Sequence, residues 1–286
     1  MLRYDGPILD NHFHIQEHGL FLQAIRVFHK HGGTHVTHIP IPGRAPKKTK
    51  ADWREFFEAH LRLSDRIEAE TPVRVIRAVG PYPVEFVETA KEWGVEKARD
   101  AFREGYAAAF EIIREGKAVA LGEVGRAHFP IAAEIQLELT TMLQEAFDIA
   151  AEGDTPVILH TEHATPEVFH ELSDMANLAH LDHDRVVKHY APPAILPDEN
   201  FGLVPSIIAS RSNVQAAAAQ GNRFLLETDY IDEPTRPNGV LPPSAVPQRT
   251  KALLQQGSPI ELLEKVHREL PARVFKVTME PGRPVR

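Results

Sequence analysis

The chain has 286 residues, 43% hydrophobic and 25% charged, which is the make-up of a globular protein and the length of one α/β barrel. It has no cysteine, so disulfides and thiolate metal sites are excluded, and any metal must be held by carboxylates and by some of its 16 histidines. A net charge of −8 argues against a protein that coats nucleic acid by neutralising phosphates, while leaving room for a small cationic pocket that takes one strand end. No run approaches the roughly 18 apolar residues of a membrane span. No basic segment followed by an apolar stretch opens the chain, so no secretory signal is expected. The expectation is a cytoplasmic protein with no membrane association and no obligate protein partner.

Ile8 to His14 reads as a strand that ends in two histidines one residue apart. Strand side chains alternate sides, so His12 and His14 should share a face. Leu20 to Lys30 is an amphipathic helix with basic residues in its last turn and glycine behind it. Thr34 to Ile39 is a β-branched second strand. Pro40 to Lys50 is a loop with three prolines and four basic residues. Ala51 to Glu70 is helical, with Phe56, Phe57, Leu61, Leu63 and Ile67 on its apolar side.

Val73 to Val79 is a third strand, stopped by Gly80-Pro81-Tyr82-Pro83. Helices follow over Val84–Trp93 and Val95–Glu115. Ala118 to Leu121 is a fourth strand that runs into Gly122-Glu123-Val124-Gly125. A helix over Ala132–Glu152 leads to a fifth strand, Pro156–Leu159, ending in His160. Thr165-Pro166-Glu167 starts the next helix, with threonine as N-cap and proline in the first turn. A sixth strand, Arg185–Lys188, ends in His189. Leu203–Ile208 is a weak seventh strand, and Asn213–Gln220 a short helix. Phe224–Leu226 is the eighth, running into Glu227-Thr228-Asp229. A proline-rich loop and helices near Ser244–Gln255 and Pro259–Leu270 complete the chain.

Eight strands alternating with helices predict a single (β/α)₈ TIM barrel, with extra helices between strands 2 and 4. No composition break marks a second domain, so residues 1–286 are expected to form one TIM-barrel domain. In such a barrel the C-terminal strand ends share one mouth, where active sites lie. His12, His14, Glu123, His160, His189 and Asp229 all stand at those ends. Four histidines and two carboxylates suffice for two divalent ions with one carboxylate bridging. Neutral imidazole and carboxylate suit Zn²⁺, and also Mn²⁺ or Fe²⁺. Two ions about 3.5–4 Å apart stabilise attacking and leaving oxygens, and a bound metal lowers the pKa of water to about 7. A nearby carboxylate can pass the water's proton to the leaving group.

These stretches resemble the TatD family of metal-dependent hydrolases, within the amidohydrolase-like barrels. The matching segments are Asp10-Asn11-His12-Phe13-His14, Gly122-Glu123-Val124-Gly125, Pro156 to Thr161, Lys188-His189 and Glu227-Thr228-Asp229. Gln136, Phe147 to Ala150 and Pro271 to Phe275 add support. The resemblance implies that His12, His14 and Asp229 hold one metal, that His160 and His189 hold a second, and that Glu123 bridges them. It makes Asp229 the handler of the proton of the attacking water, with Glu123 beside it, and Asp10 an outer residue that orients a ligand. The implied cofactors are two divalent ions (Zn, Mn or Mg), with metal-bound hydroxide as nucleophile.

The chain departs from the family where the pocket is lined. Arg126 and Ala127 replace leucine and aspartate. Glu162 replaces an arginine after His160-Thr161. Gly80-Pro81-Tyr82-Pro83 lacks a histidine, and Tyr190-Ala191 replaces a cysteine–phenylalanine pair. The implied reaction is phosphodiester hydrolysis of single-stranded DNA, of a deoxyribonuclease or 3′–5′ exonuclease type. A second reading keeps the metals and hydrolyses a small ester, lactone or amide. A third is a metal-binding scaffold with little turnover, against which the intact Asp229 counts.

Three further residues are candidates for substrate contact. Arg126 has the fork that matches phosphate or carboxylate, against the alternative of a surface salt bridge. His38 and His163 lie near the mouth; the ordinary alternatives are a backbone-bonded histidine and a solvated one. Lys47, Lys48 and Lys50 read as a solvated face. His29, His31, His60, His170, His180 and His183 are placed at helix ends or on exposed helix faces.

Overall fold

The computed structural model describes residues 3–43, 47–233, 235 and 240–280. Its strands are β1 (Leu9–His14), β2 (His35–His38), β3 (Arg74–Val79), β4 (Ala120–Gly125), β5 (Val157–His160), β6 (Val186–Ala191), β7 (Val204–Ile208), β8 (Leu225–Glu227) and β9 (Tyr230–Ile231). All neighbours pair in parallel, in the order β8-β7-β6-β5-β4-β3-β2-β1-β9. The sheet curls into a TIM-barrel-like fold with the helices outside it.

The seam lies between β1 and β8, where no backbone ladder is present among the described residues. The Asp10 carboxylate spans it, accepting from Thr228 N at 2.9 Å and from Thr228 Oγ1 at 2.7 Å. Just past it, β9 pairs with Phe13 and His14. Asp229 turns the chain between β8 and β9 in the left-handed region, at φ 49°. That two-residue strand was not among the predicted elements, because so short a segment carries no periodicity.

The eight predicted strands all form; six end within two residues of their expected bounds, while β4 runs on to Gly125 and β6 to Ala191, three or four residues past the predicted ends. Between them run α1 (Leu22–Lys30), α2 (Lys50–Glu70), α3 (Pro83–Trp93), α4 (Val95–Arg114), α5 (Ala133–Glu152), α6 (Pro166–Leu178), α7 (Pro197–Asn200) and α8 (Arg211–Gln220). The extra helix sits in the β3–β4 connection, where α3 and α4 follow each other. Helix α2 starts at a capping box in which Thr49 and Asp52 satisfy each other's backbone N–H groups. It packs on α4 where Gly105 leaves room for the Trp53 ring, whose Nε1 donates to Ala101 O at 2.8 Å.

The tail forms α9 (Ala245–Gln255), α10 (Ile260–Glu264), a π turn at Lys265–Glu269 and α11 (Leu270–Phe275). Leu270, Val274 and Phe275 pack with Leu9, Ala120, Ile158, Val187, Val204 and Leu225, which plugs the barrel beneath the histidines. The π turn buries His267, which accepts from Leu9 N at 3.2 Å and meets Thr250 Oγ1 at 2.8 Å. No described helix is long and apolar enough to cross a membrane.

Two surface expectations are corrected. His60 is 6% exposed, because its ring packs against that of His38 in β2, tilted by 36° with centroids 3.9 Å apart. Lys47 is also buried, its ammonium 2.9 Å from Glu85 and over the Trp53 ring, so aromatic and carboxylate partners replace solvent. Residues 44–46 of the predicted 40–50 loop, and part of the proline-rich loop after Asp232, lie outside the described residues.

Candidate metal centre

The C-terminal ends of β1, β4, β5, β6 and β8 bring six side chains to one mouth. His12 Nε2 and His14 Nε2 are 3.1 Å apart, on one side of their strand as alternation predicts. Glu123 Oε2 lies 3.3 Å from His12 Nε2, 3.2 Å from His160 Nδ1 and 3.8 Å from His189 Nε2. Asp229 Oδ1 is 3.6 Å from His14 Nε2 and 3.9 Å from His12 Nε2. His12 is fully buried, and His14, Glu123, His189 and Asp229 nearly so.

The ladder breaks register at three of these residues. The breaks lie between Asp10 and Phe13, between Gly122 and Val124, and between Lys188 and Ala191, each flanking a residue at the mouth. A bulge bends its strand and re-aims a side chain, so the backbone itself turns His12, Glu123 and His189 inward. The Gly-Glu-Val-Gly spacing has a steric cause. A Cβ on Gly122 would meet Ile158 Cβ at 2.7 Å. Gly125, at φ 138°, lets Arg126 N reach His160 O at 2.8 Å.

The charges are arranged around carboxylates that stay ionised. Burial alone would raise Glu123, but His160 and His12 hold it well below the usual carboxylate range. Burial opposes Asp229 ionisation too, and His189 and His14 outweigh it and keep it low. Burial works against a charged His189, yet the Glu227 and Asp229 carboxylates lift it to about 9. His14 is raised against burial by Asp229 and Glu123. His12 is lowered by burial and by the neighbouring His189.

Two overlapping ligand groups share His12: His12 with Glu123 and His189, and His12 with His14 and Asp229, each with its ligand atoms within 4.8 Å of one another. Imidazole nitrogens and carboxylate oxygens with no thiolate are the donor set of a divalent ion such as Zn²⁺ or Mn²⁺. The residues fit such a cofactor.

A family model described as TatD related DNase matches residues 9–276. The chain is 30% identical over 278 residues to the uncharacterized protein MJ1127 of Methanocaldococcus jannaschii, covering 96% of this chain and 97% of that protein. The chain belongs to the TatD family. The solved structures agree in fold. The TatD homolog YJJV from Escherichia coli K12 superposes with a TM-score of 0.66 at 19% identity, covering 94% of this chain and 98% of that one. A TatD family hydrolase from Entamoeba histolytica gives 0.56 at 14% identity, covering 94% and 99%. Membership makes the chain a metal-dependent hydrolase, and the family implies divalent metal.

The TatD mouth opens into a cavity of about 570 Å³, lined by His14, Glu123, His160, His189 and Asp229 among others. His163 also lines it, as the sequence reading allowed. Arg126 does not. It is 2% exposed, with its guanidinium held by Glu162 and Glu171 at 2.6 Å each, so two carboxylates already occupy the fork. His38 is likewise away from the cavity, with Nδ1 at 2.8 Å from Ser64 Oγ, and burial and His60 drive its pKa far down. Asp10 touches no imidazole of the site, but it accepts from the backbone N of His12 at 3.4 Å. Its two oxygens also hold Thr228 across the seam, and burial pushes its carboxyl up to about 8.

A second outer partner, here on a ring of the site, is Glu227. Its Oε1 lies 2.8 Å from His189 Nδ1, an ion-pair contact rather than an aligned hydrogen bond, and also accepts from Tyr190 N at 2.8 Å. Ser206 donates to its other oxygen, Asn11 donates to Ser206, and Thr37 donates to Asn11. This polar belt crosses the barrel under the candidate metal ligands. His160 is held from outside by His128 Nδ1 at 2.8 Å and Tyr82 OH at 3.4 Å, both on Nε2, which leaves Nδ1 facing Glu123. Nothing in the spacing pointed to Tyr82, but Glu227 was in view two residues before Asp229.

Proposed function

We propose that this chain is a binuclear hydrolase that cleaves a phosphodiester at the end of a single nucleic-acid strand. The observation that carries this reading is the convergence of four imidazoles and two carboxylates, 3.1–3.9 Å apart, in a chain that matches the TatD related DNase model over 268 of its residues (9 to 276). His12, His14 and Asp229 would hold one ion and His160 and His189 a second, with the Glu123 carboxylate available to both sets of ligands. Bound divalent ions supply Lewis acidity and acidify a water molecule.

The chain's own groups do the rest. Asp229 is kept ionised by its histidines, so its carboxylate can accept the proton of the attacking water and return it to the leaving oxygen. Glu227 and His128 fix the rings of His189 and His160, which holds the ligand nitrogens in place.

A second reading, hydrolysis of a small ester, lactone or amide, is favoured by one observation: Lys188 is the single Lys or Arg among the described residues that line the cavity. A path that tracks a nucleic-acid backbone normally offers several.

The deciding experiment assays single-stranded oligonucleotides beside ester and lactone panels, with Mg²⁺, Mn²⁺ and Zn²⁺. Shortening of the oligonucleotide from one end is the expected result. Good lactone turnover with intact DNA would reverse the order of the two readings.

A further inference from the structure

Lys188 stands next to the metal-site histidine His189 in β6. Neighbours in a regular strand point to opposite sides, but the register break between Lys188 and Ala191 lets both reach the cavity. The side chain is 1% exposed. Its ammonium donates to the carbonyl of His189, and no carboxylate of a described residue lies within 4 Å of it.

The nearby acids are engaged elsewhere. Glu227 serves His189, Tyr190 and Ser206. Glu162 is bound to Arg126. Glu123 sits among His12, His160 and His189. A buried cation without a paired anion is costly and serves no packing need that methionine would not meet. The carboxylates of Glu227, Glu162 and Glu123 act on it only from beyond ion-pair distance, so at this cavity wall it has room for an anion that a ligand brings.

We propose that Lys188 is the anion anchor of the site, receiving one carboxylate or phosphate that the substrate carries beside its scissile bond. The inference rests on the hydrolase reading above and narrows it: the substrate carries an anionic group next to the bond that breaks, within reach of Lys188. Arg126, whose residue type suggested this role, is already neutralised by Glu162 and Glu171.

The test uses the purified, metal-loaded chain and its Lys188→Met variant. Two substrate pairs separate the anion sources. One is mono(4-nitrophenyl) succinate against 4-nitrophenyl butyrate; the other is a thymidine dinucleotide with and without a terminal phosphate. The wild-type chain should prefer the anionic member of at least one pair by about tenfold to a hundredfold in kcat/KM, the worth of a charged hydrogen bond. In Lys188→Met the preference should vanish through a rise in KM for that member. The melting temperature should hold or rise, because an unpaired buried charge is gone.

Calorimetric binding of succinate and of inorganic phosphate decides the matter independently of turnover. Either anion should bind the wild type and bind the variant at least about tenfold more weakly. Turnover of no substrate, with Lys188-dependent anion binding, would sink the hydrolase reading and leave the anchor standing. A wild type with no preference for anions, or a variant that keeps the preference, overturns the anchor. So does a variant that melts lower while binding both anions as before, since that marks a structural lysine.

Discussion

His189 and Glu227 meet at 2.8 Å, Nδ1 to Oε1, and through this contact the end of β6 is tied to the end of β8 across β7. A ligand imidazole is useful only if its ring is held in one orientation, and a carboxylate on the far nitrogen does that while raising the ring's basicity. Glu227→Gln should therefore weaken metal binding or activity by about 10- to 100-fold with the fold intact. Titration with a chromogenic chelator measures this. Unchanged affinity would show that the ring needs no such support.

Asp229 is placed to handle the proton and also to ligate. Asp229→Asn keeps an oxygen that can bind metal but cannot take a proton. It should keep much of the metal and lose about 10²- to 10⁴-fold in kcat, the usual contribution of general acid–base catalysis. Full turnover in that variant would remove the role.

Metal loading should compete with protons. In the metal-free protein, Glu227 and Asp229 lift His189 to about 9, so that ring is protonated at pH 7. A ligating imidazole is neutral, so binding at pH 7 expels that proton and affinity climbs as pH rises towards 9. Calorimetry in two buffers of different ionisation enthalpy should give a release of about one proton per chain from this ring. A heat independent of the buffer would contradict this.

Acid should unfold the protein by way of its other buried histidines. Burial lowers His35 to about 4 and His60 and His267 to about 3. These rings stay neutral in the fold but gain protons in the unfolded chain below about pH 6.5. Their contribution is whole above that pH and is lost as pH falls towards 4, at about 1.4 kcal/mol per pH unit for each ring. Urea midpoints of the metal-loaded protein between pH 7.5 and 4.5 measure it. Midpoints that do not move would place these rings in contact with water.

The barrel was legible in the sequence because each strand is a short apolar run between turn signals, and its mouth because the reactive residues end those runs. The companions of the ligands were not legible. Glu227 was visible only as part of a motif, and its contact depends on how far β6 and β8 lie apart. Arg126 and His38 have the chemistry of substrate-binding residues, and burial against Glu162, Glu171, His60 and Ser64 gives them other partners. Lys188 hid behind the alternation rule, which a one-residue bulge suspends.

If the six strand-end residues form one binuclear centre as proposed, metal content after gel filtration reads it out. Atomic emission on the wild type should give two divalent ions per chain. The His12→Ala/His14→Ala double variant should lose at least one of them while remaining folded by circular dichroism. Equal metal content in the two proteins would contradict the site.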